Sequence, residues 1–154
     1  VCSSDLEKIT EEAMTSFRTM PDDQLVWIFN LWSYLGLMNS NGLPDIFHKE
    51  LFEKLSRVIP QRISRKPENW TMMSVSPLNM APTPDSHMAP FIDQILIQAN
   101  LDYDIERQNS DGTWALDWSW EQDNPEAWAI AEKEWKAHLA IGKLRILRSY
   151  HRFP

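Results

Sequence analysis

The chain is poor in cysteine, in basic residues relative to acidic ones, and in long apolar runs, and each shortage closes off a class of function. Its only cysteine is Cys2. That residue lies in residues 1–6, Val1-Cys2-Ser3-Ser4-Asp5-Leu6, a stretch that reads as a translated sequencing adaptor and is set aside from fold reasoning. Without it, disulfides, thiol nucleophiles and cysteine metal sites go together. His48, His87, His138 and His151 are scattered, with no spacing of the H-E-x-x-H kind, so neither a metal nor a cofactor is expected. Fifteen Lys and Arg stand against 22 Asp and Glu, a net charge of −7, which argues against a nucleic-acid partner held by a general basic field. The longest apolar run, residues 25–38, is interrupted by Asn30 and Ser33 and falls short of the roughly 18 to 20 residues of a membrane span. A soluble chain without a transmembrane segment is expected, and its composition leans to the cytoplasm.

What remains is ordinary globular composition, 43% hydrophobic and 24% charged, with aromatics somewhat heavy at 11%. A chain of 154 residues suits one domain or part of one. No initiator methionine precedes the adaptor-like stretch, so the expected partner is an N-terminal part of the same chain. Asn69-Trp70-Thr71 has the form of a glycosylation acceptor, a triplet common by chance.

Helical spacing dominates throughout. Residues 7–20 carry a narrow stripe of Ile9, Ala13, Met14 and Phe17. Pro21-Asp22-Asp23 opens the next helix, over residues 22–38, which is apolar on nearly every side and so is expected to be buried all round. The short link 39–44 forces an antiparallel return. The returning helix has Phe47, Leu51, Phe52, Leu55, Val58 and Ile59 on one face and charges on the other, and it should kink or end at Pro60. An inner helix followed by an outer one is the pairing of an α/α toroid, though it would also suit a bundle.

Residues 67–89 form a Pro/Met-rich loop, expected to be a strap drawn over the helices rather than a pocket lid. Asp85-Ser86-His87 within it is no triad, since triad members converge from separate segments; Asp85 or Ser86 is expected to cap the next helix. That helix, residues 90–107, is broadly apolar and again expected to be inner. Asp102 and Asp104 on it diverge by about 200° and cannot readily share a proton. Asn124-Pro125-Glu126 opens a further helix with Trp128, Ala131 and Trp135 at helical spacing and Glu132, Lys133 and Lys136 outward. Gly142 is expected to break it before a last helix, whose Arg145, Arg148, His151 and Arg152 complement the dipole at its end.

Between these helices lies the most informative stretch, residues 108–120, with three of the eight tryptophans. Asp111-Gly112 signals a turn, because glycine tolerates positive φ and the aspartate can bond nearby amides. Gln108 can satisfy exposed backbone groups, and Trp114 can cover them with an apolar plate. A corner between helices, held by its own side chains, is therefore expected. Five of the eight tryptophans lie between Trp114 and Trp135, an expected aromatic hub.

Gln108, Asp111, Gly112 and Trp114 resemble the Q-x-x-D-G-x-W motif of the terpenoid cyclase and protein prenyltransferase superfamily. More loosely, residues 21–153 are similar to uncharacterised bacterial squalene-cyclase-like proteins. The resemblance implies an all-α fold of antiparallel helical hairpins forming part of an α/α toroid. Residues 7–154 would be a single all-α domain or the C-terminal part of a larger toroid. A similar Asp-Gly-aromatic turn recurs in α/α-barrel sugar hydrolases and lyases. The D-x-D-D acid motif of the cyclases, the D-D-x-x-D pyrophosphate motif and a prenyltransferase zinc set do not occur in this sequence.

Three functions follow. The chain could be the C-terminal segment of a cyclase-like toroid whose aromatics face a hydrophobic small molecule, without catalysis of its own. It could belong to an α/α-barrel carbohydrate enzyme, with Trp118 and Trp120 as stacking plates beside Asp117, Glu121 and Asp123. It could be a non-catalytic helical binding module. Asp117, Trp118 and Trp120 are the candidate ligand contacts, no catalytic residue is assigned, and self-association through uncovered apolar helices is expected.

Overall fold

The structure is a computed structural model that describes residues 3–152, with side chains from residue 5. Val1 and Cys2, on which the adaptor reading partly rests, lie outside the described residues, as do Phe153 and Pro154. Among the described residues there are seven α-helices, two short 3-10 turns and no strand. None of the helices is long and apolar enough to cross a membrane. The chain divides into two compact units, Val1–Arg62 and Ile63–Pro154.

The first unit contains α1 (Ser3–Thr19), α2 (Asp22–Leu25), α3 (Ile28–Met38) and α4 (Asp45–Arg62). Met14 and Phe17 of α1 are buried against this unit's core, and the Phe17 ring meets Tyr34 of α3 at 4.8 Å. Lys54 of α4 closes the end of α1: its Nζ donates to the carbonyls of Phe17 at 2.8 Å and Met20 at 2.7 Å. Phe17 belongs to the last turn of α1, where carbonyls lack intrahelical partners, and Met20 lies just past it; the ammonium also sits 4.9 Å from the Phe17 ring centre. Burial in this position pulls the Lys54 ammonium below its ordinary value. Two forked pairs, Arg18 with Glu50 and Arg57 with Asp22, complete the ties to α4.

The helix expected over residues 22–38 is divided, and it is not buried all round. Trp27 is extended, with ψ 128°, and separates α2 from α3. In α3 only Ile28, Leu31, Tyr34 and Met38 are buried, one stripe at helical spacing. The remaining aromatics turn outward, Trp27 being 70% and Phe29 54% exposed. Apolar residues on every side make burial possible, but packing neighbours cover only one side here. Pro60 likewise fails to stop α4, which runs on to Arg62. In the last turn a proline forfeits one bond, to the carbonyl four residues back, and leaves little helix to disrupt.

The second unit holds α5 (Pro77–Met80), α6 (Gln94–Glu106) and α7 (Pro125–Ser149). Residues 63–93 are a packed strap. Trp70 is buried edge-on against Tyr103 of α6, at 5.6 Å between ring centres, and its Nε1 donates to the Ser64 carbonyl. Asn79 gathers the strap by donating to the carbonyls of Thr71, Met72 and Ser74. Met80 and Met88 are buried as expected of methionine padding, whereas Met73 is exposed.

Neither Asp85 nor Ser86 caps a helix. Ser86 Oγ accepts from the Thr83 amide and closes its own turn, and α6 is capped instead by Asp93, which accepts from the Ile95 amide. A 3-10 turn at Ala89–Phe91 separates the two. The broadly apolar α6 is covered on one side only: it buries Ile97, Asn100, Leu101 and Asp104 and exposes Ile95.

Asn124 caps α7 by accepting from the Ala127 amide, with proline at the first turn. Gly142 does not break this helix, which is continuous over 25 residues. One interior glycine costs about 1 kcal/mol relative to alanine, too little to part a helix fixed at both ends. Nothing lies within 4 Å of where a Cβ on Gly142 would sit. Gly142→Ala is therefore expected to raise stability by about 0.5–1 kcal/mol, read from the urea midpoint; a loss would mean that the glycine serves close approach. Glu132 and Lys136, expected outward, are half-buried and pair with each other at 2.8 Å.

Beyond Tyr150 the chain turns through His151 at φ 54°. The His151 amide donates to the Arg148 carbonyl and the Arg152 amide to that of Leu147, the two bonds of a Schellman ending. Tyr150 Oη and Ser149 Oγ then donate to the carbonyls of Ala81 and Pro82, stitching this end to the strap.

Candidate functional site at the tryptophan corner

After α6 the chain makes a four-residue turn in which the Gly112 amide donates to the Asn109 carbonyl at 2.9 Å. Gly112 takes φ +82°, a left-handed conformation that costs a residue with a Cβ about 1–2 kcal/mol. The Asn109 amide then bonds the Thr113 carbonyl at 2.8 Å. Gln108 Nε2 spans the turn to the Gly112 carbonyl at 3.0 Å. Asp111 Oδ1 accepts from both the amide and the hydroxyl of Thr113, and the hydroxyl bond chiefly holds its carboxyl below the usual range. Gln108 Nε2, Asp111 Oδ1 and the Gly112 backbone are thus engaged within the turn itself.

Trp114 carries the turn into the core of this unit. It is 2% exposed, and its Nε1 donates to the Asp104 carbonyl at 2.7 Å. The Asp104 side chain is paired with Lys143 of α7, the two side chains being 6% and 20% exposed. Burial pushes the Asp104 carboxyl above its ordinary value, while Lys143 and then Arg107 pull in the opposite direction. One turn earlier, Asn100 Oδ1 accepts from the buried Leu78 amide at 3.2 Å. Asn100 and Asp104 therefore form a polar line inside the apolar face of α6, joining it to α5, to the corner and to α7. Asp102 lies elsewhere, exposed and paired with Arg152.

Trp118, Trp120, Trp128 and Trp135 make up a second layer. Trp118 stands edge-on to Trp128 and Trp135, both at 5.3 Å, and Trp120 stands against Trp128 at 5.0 Å. Such edge-to-face pairs are worth about 0.5–1.5 kcal/mol each beyond area burial. Trp114 belongs to the first layer and not to this one. Trp118 Nε1 is buried without a hydrogen-bond partner among the described residues. Asp117, the third candidate, directs Oδ2 to the Met72 amide at 2.8 Å and so anchors the strap.

The corner thus brings Gln108, Asp111 and Gly112 together in one turn, puts Trp114 beneath it, and places Trp118 and Trp120 in a separate aromatic layer. Asn100 and Lys143 were not singled out by sequence reasoning, and Asp104 was weighed there only as a partner for Asp102. Their signal was present on one side only: Asn100 and Asp104 fall at helical spacing from the buried Ile97, so an amide and an acid occupy an apolar stripe. Lys143 gives no such sign, being 39 residues away from its partner. Among the described residues no group of three or more His, Cys, Asp or Glu is placed to hold a metal ion. In comparisons with known proteins, the chain matches no family model, no curated protein and no solved structure.

Proposed function

We propose that this chain is a helical-hairpin segment of a terpenoid-cyclase or prenyltransferase-like α/α toroid, acting as a structural and binding module without chemistry of its own. The observation that carries this reading is how the Q-x-x-D-G-x-W atoms are used. Gln108, Asp111 and Gly112 spend their hydrogen bonds on the turn, and Trp114 spends its own on Asp104. A motif used in this way locks a corner, which supports a structural rather than a catalytic role for it. The carbohydrate alternative loses support from the same bookkeeping, because Asp117 is engaged with Met72 and both candidate stacking rings are packed against other tryptophans. On this reading further hairpins complete the ring, and an apolar small molecule is the ligand class.

Two observations test it. The full chain incubated with squalene, farnesyl pyrophosphate and β-linked glucose or N-acetylglucosamine oligomers should yield no product, while Gly112→Ala lowers stability by about 1–2 kcal/mol through backbone strain. Product from any of these would overturn the non-catalytic reading and name the chemistry. Reading the parent gene upstream of Glu7 should reveal further Q-x-x-D-G-x-W repeats, and a frame without them would remove the toroid.

A further inference from the structure

The outer side of α7 combines exposed apolar residues with charges that have no ion-pair partner among the described residues. Ile130 is 67% and Ile141 52% exposed. Ala137 is also exposed, and Leu144 is half-exposed. At about 100° per residue, Glu126, Ile130, Ala137, Leu144 and Arg148 fall within about 20° of one line along the helix, with Lys133 and Ile141 some 40° to either side. Trp128, which packs into the tryptophan layer, lies on the opposite side. Glu126 and Arg148 are exposed, and neither is in an ion pair among the described residues, unlike Lys136 and Lys143 on the inner side.

The arrangement of this stripe is self-complementary in one sense only. Ala137 is its midpoint: Ile130 and Leu144 lie seven residues to either side, Lys133 and Ile141 four, Glu126 and Arg148 eleven. A twofold axis beside Ala137 would set Ile130 against Leu144 of a second copy. It would also bring Glu126 against Arg148 at both ends. A parallel pairing would instead oppose glutamate to glutamate and arginine to arginine. The small side chain at the centre permits close helix approach. We propose that α7 pairs antiparallel with α7 of a second copy of this chain, crossing at Ala137, with the two Glu126–Arg148 pairs fixing the direction.

Sedimentation equilibrium of the full chain tests this, with far-UV circular dichroism confirming that each variant folds. The unaltered chain should show a concentration-dependent dimer. Arg148→Glu or Glu126→Arg alone should weaken it about ten-fold, since symmetry makes each reversal act twice at the strength of an exposed pair. The double variant Glu126→Arg/Arg148→Glu should recover the original association. Helices of about 2.3 Å radius with axes 8–10 Å apart hold facing Cα atoms about 3.5–5.5 Å apart, near disulfide range. Ala137→Cys in a Cys2→Ser background should therefore crosslink to itself on oxidation. A monomer at every concentration would overturn the proposal. So would a dimer indifferent to both reversals, or one abolished only by replacing the exposed aromatics Trp27 and Trp32 with serine.

Discussion

Truncation of Trp114 to alanine is expected to destabilise the second unit by about 3–5 kcal/mol, the range for large aromatic side chains removed from cores. Two losses combine in this change. The indole is 2% exposed, so its removal leaves a cavity beneath the turn. Its Nε1 is also a partner of the Asp104 carbonyl, a buried acceptor that would be left short by about 1–3 kcal/mol. Trp114→Phe separates the two, since it keeps most of the plate and loses only the donor. Chemical denaturation of both variants provides the measurement. An alanine deficit below about 1 kcal/mol would mean that the corner does not depend on this ring.

Replacing Lys143 with methionine should cost about 3–5 kcal/mol at neutral pH, because it strands a carboxylate of which only 6% is exposed. The pH dependence of that deficit is diagnostic. Burial already raises the folded-state value of Asp104 above the unfolded one. A group raised in this way contributes stability that is fully present below the ordinary aspartate value of about 3.9 and lost as pH rises through the folded value. Without the cation the folded value rises further and the window widens. The Lys143→Met deficit should therefore shrink on acidification from pH 7 towards pH 4. Asp22, Glu50 and Asp111 are depressed, by Arg57, Arg18 and Thr113 respectively, so their contributions are present above the ordinary values and lost as pH falls. Being common to both proteins, these contributions cancel in the difference between them. A deficit constant from pH 4 to 7 would show that Lys143 acts through packing alone.

The parts of this fold that sequence reasoning reached are those set by neighbours in the chain. Helical periodicity, the Asn124-Pro125 start of α7 and the Asp111-Gly112 turn each depend on a few adjacent residues with one favoured geometry. Its errors share a different origin. Whether the apolar residues of α3 would all be covered depended on how many elements pack around it, which no local pattern states. Gly142 reads as a breaker in isolation, yet Trp128 near one end of α7 and Tyr150 just past the other hold the helix in register through it. Asp93 caps α6 because the helix starts only at Gln94, after the 3-10 turn at Ala89–Phe91, which leaves Ser86 to close its own turn. In the candidate site the same division holds: the turn was legible, while the pairing of Asp104 with Lys143 links distant segments and was not.

The tryptophan layer has an optical consequence. Indole rings 5.0–5.3 Å apart lie within the distance at which their electronic transitions couple, so they absorb as a set rather than singly. Trp118 and Trp120 belong to the loop, and Trp128 and Trp135 to α7. The exciton signature of these rings therefore reports whether the loop and the helix are together, which gives this region an intrinsic gauge of its own docking without any added label.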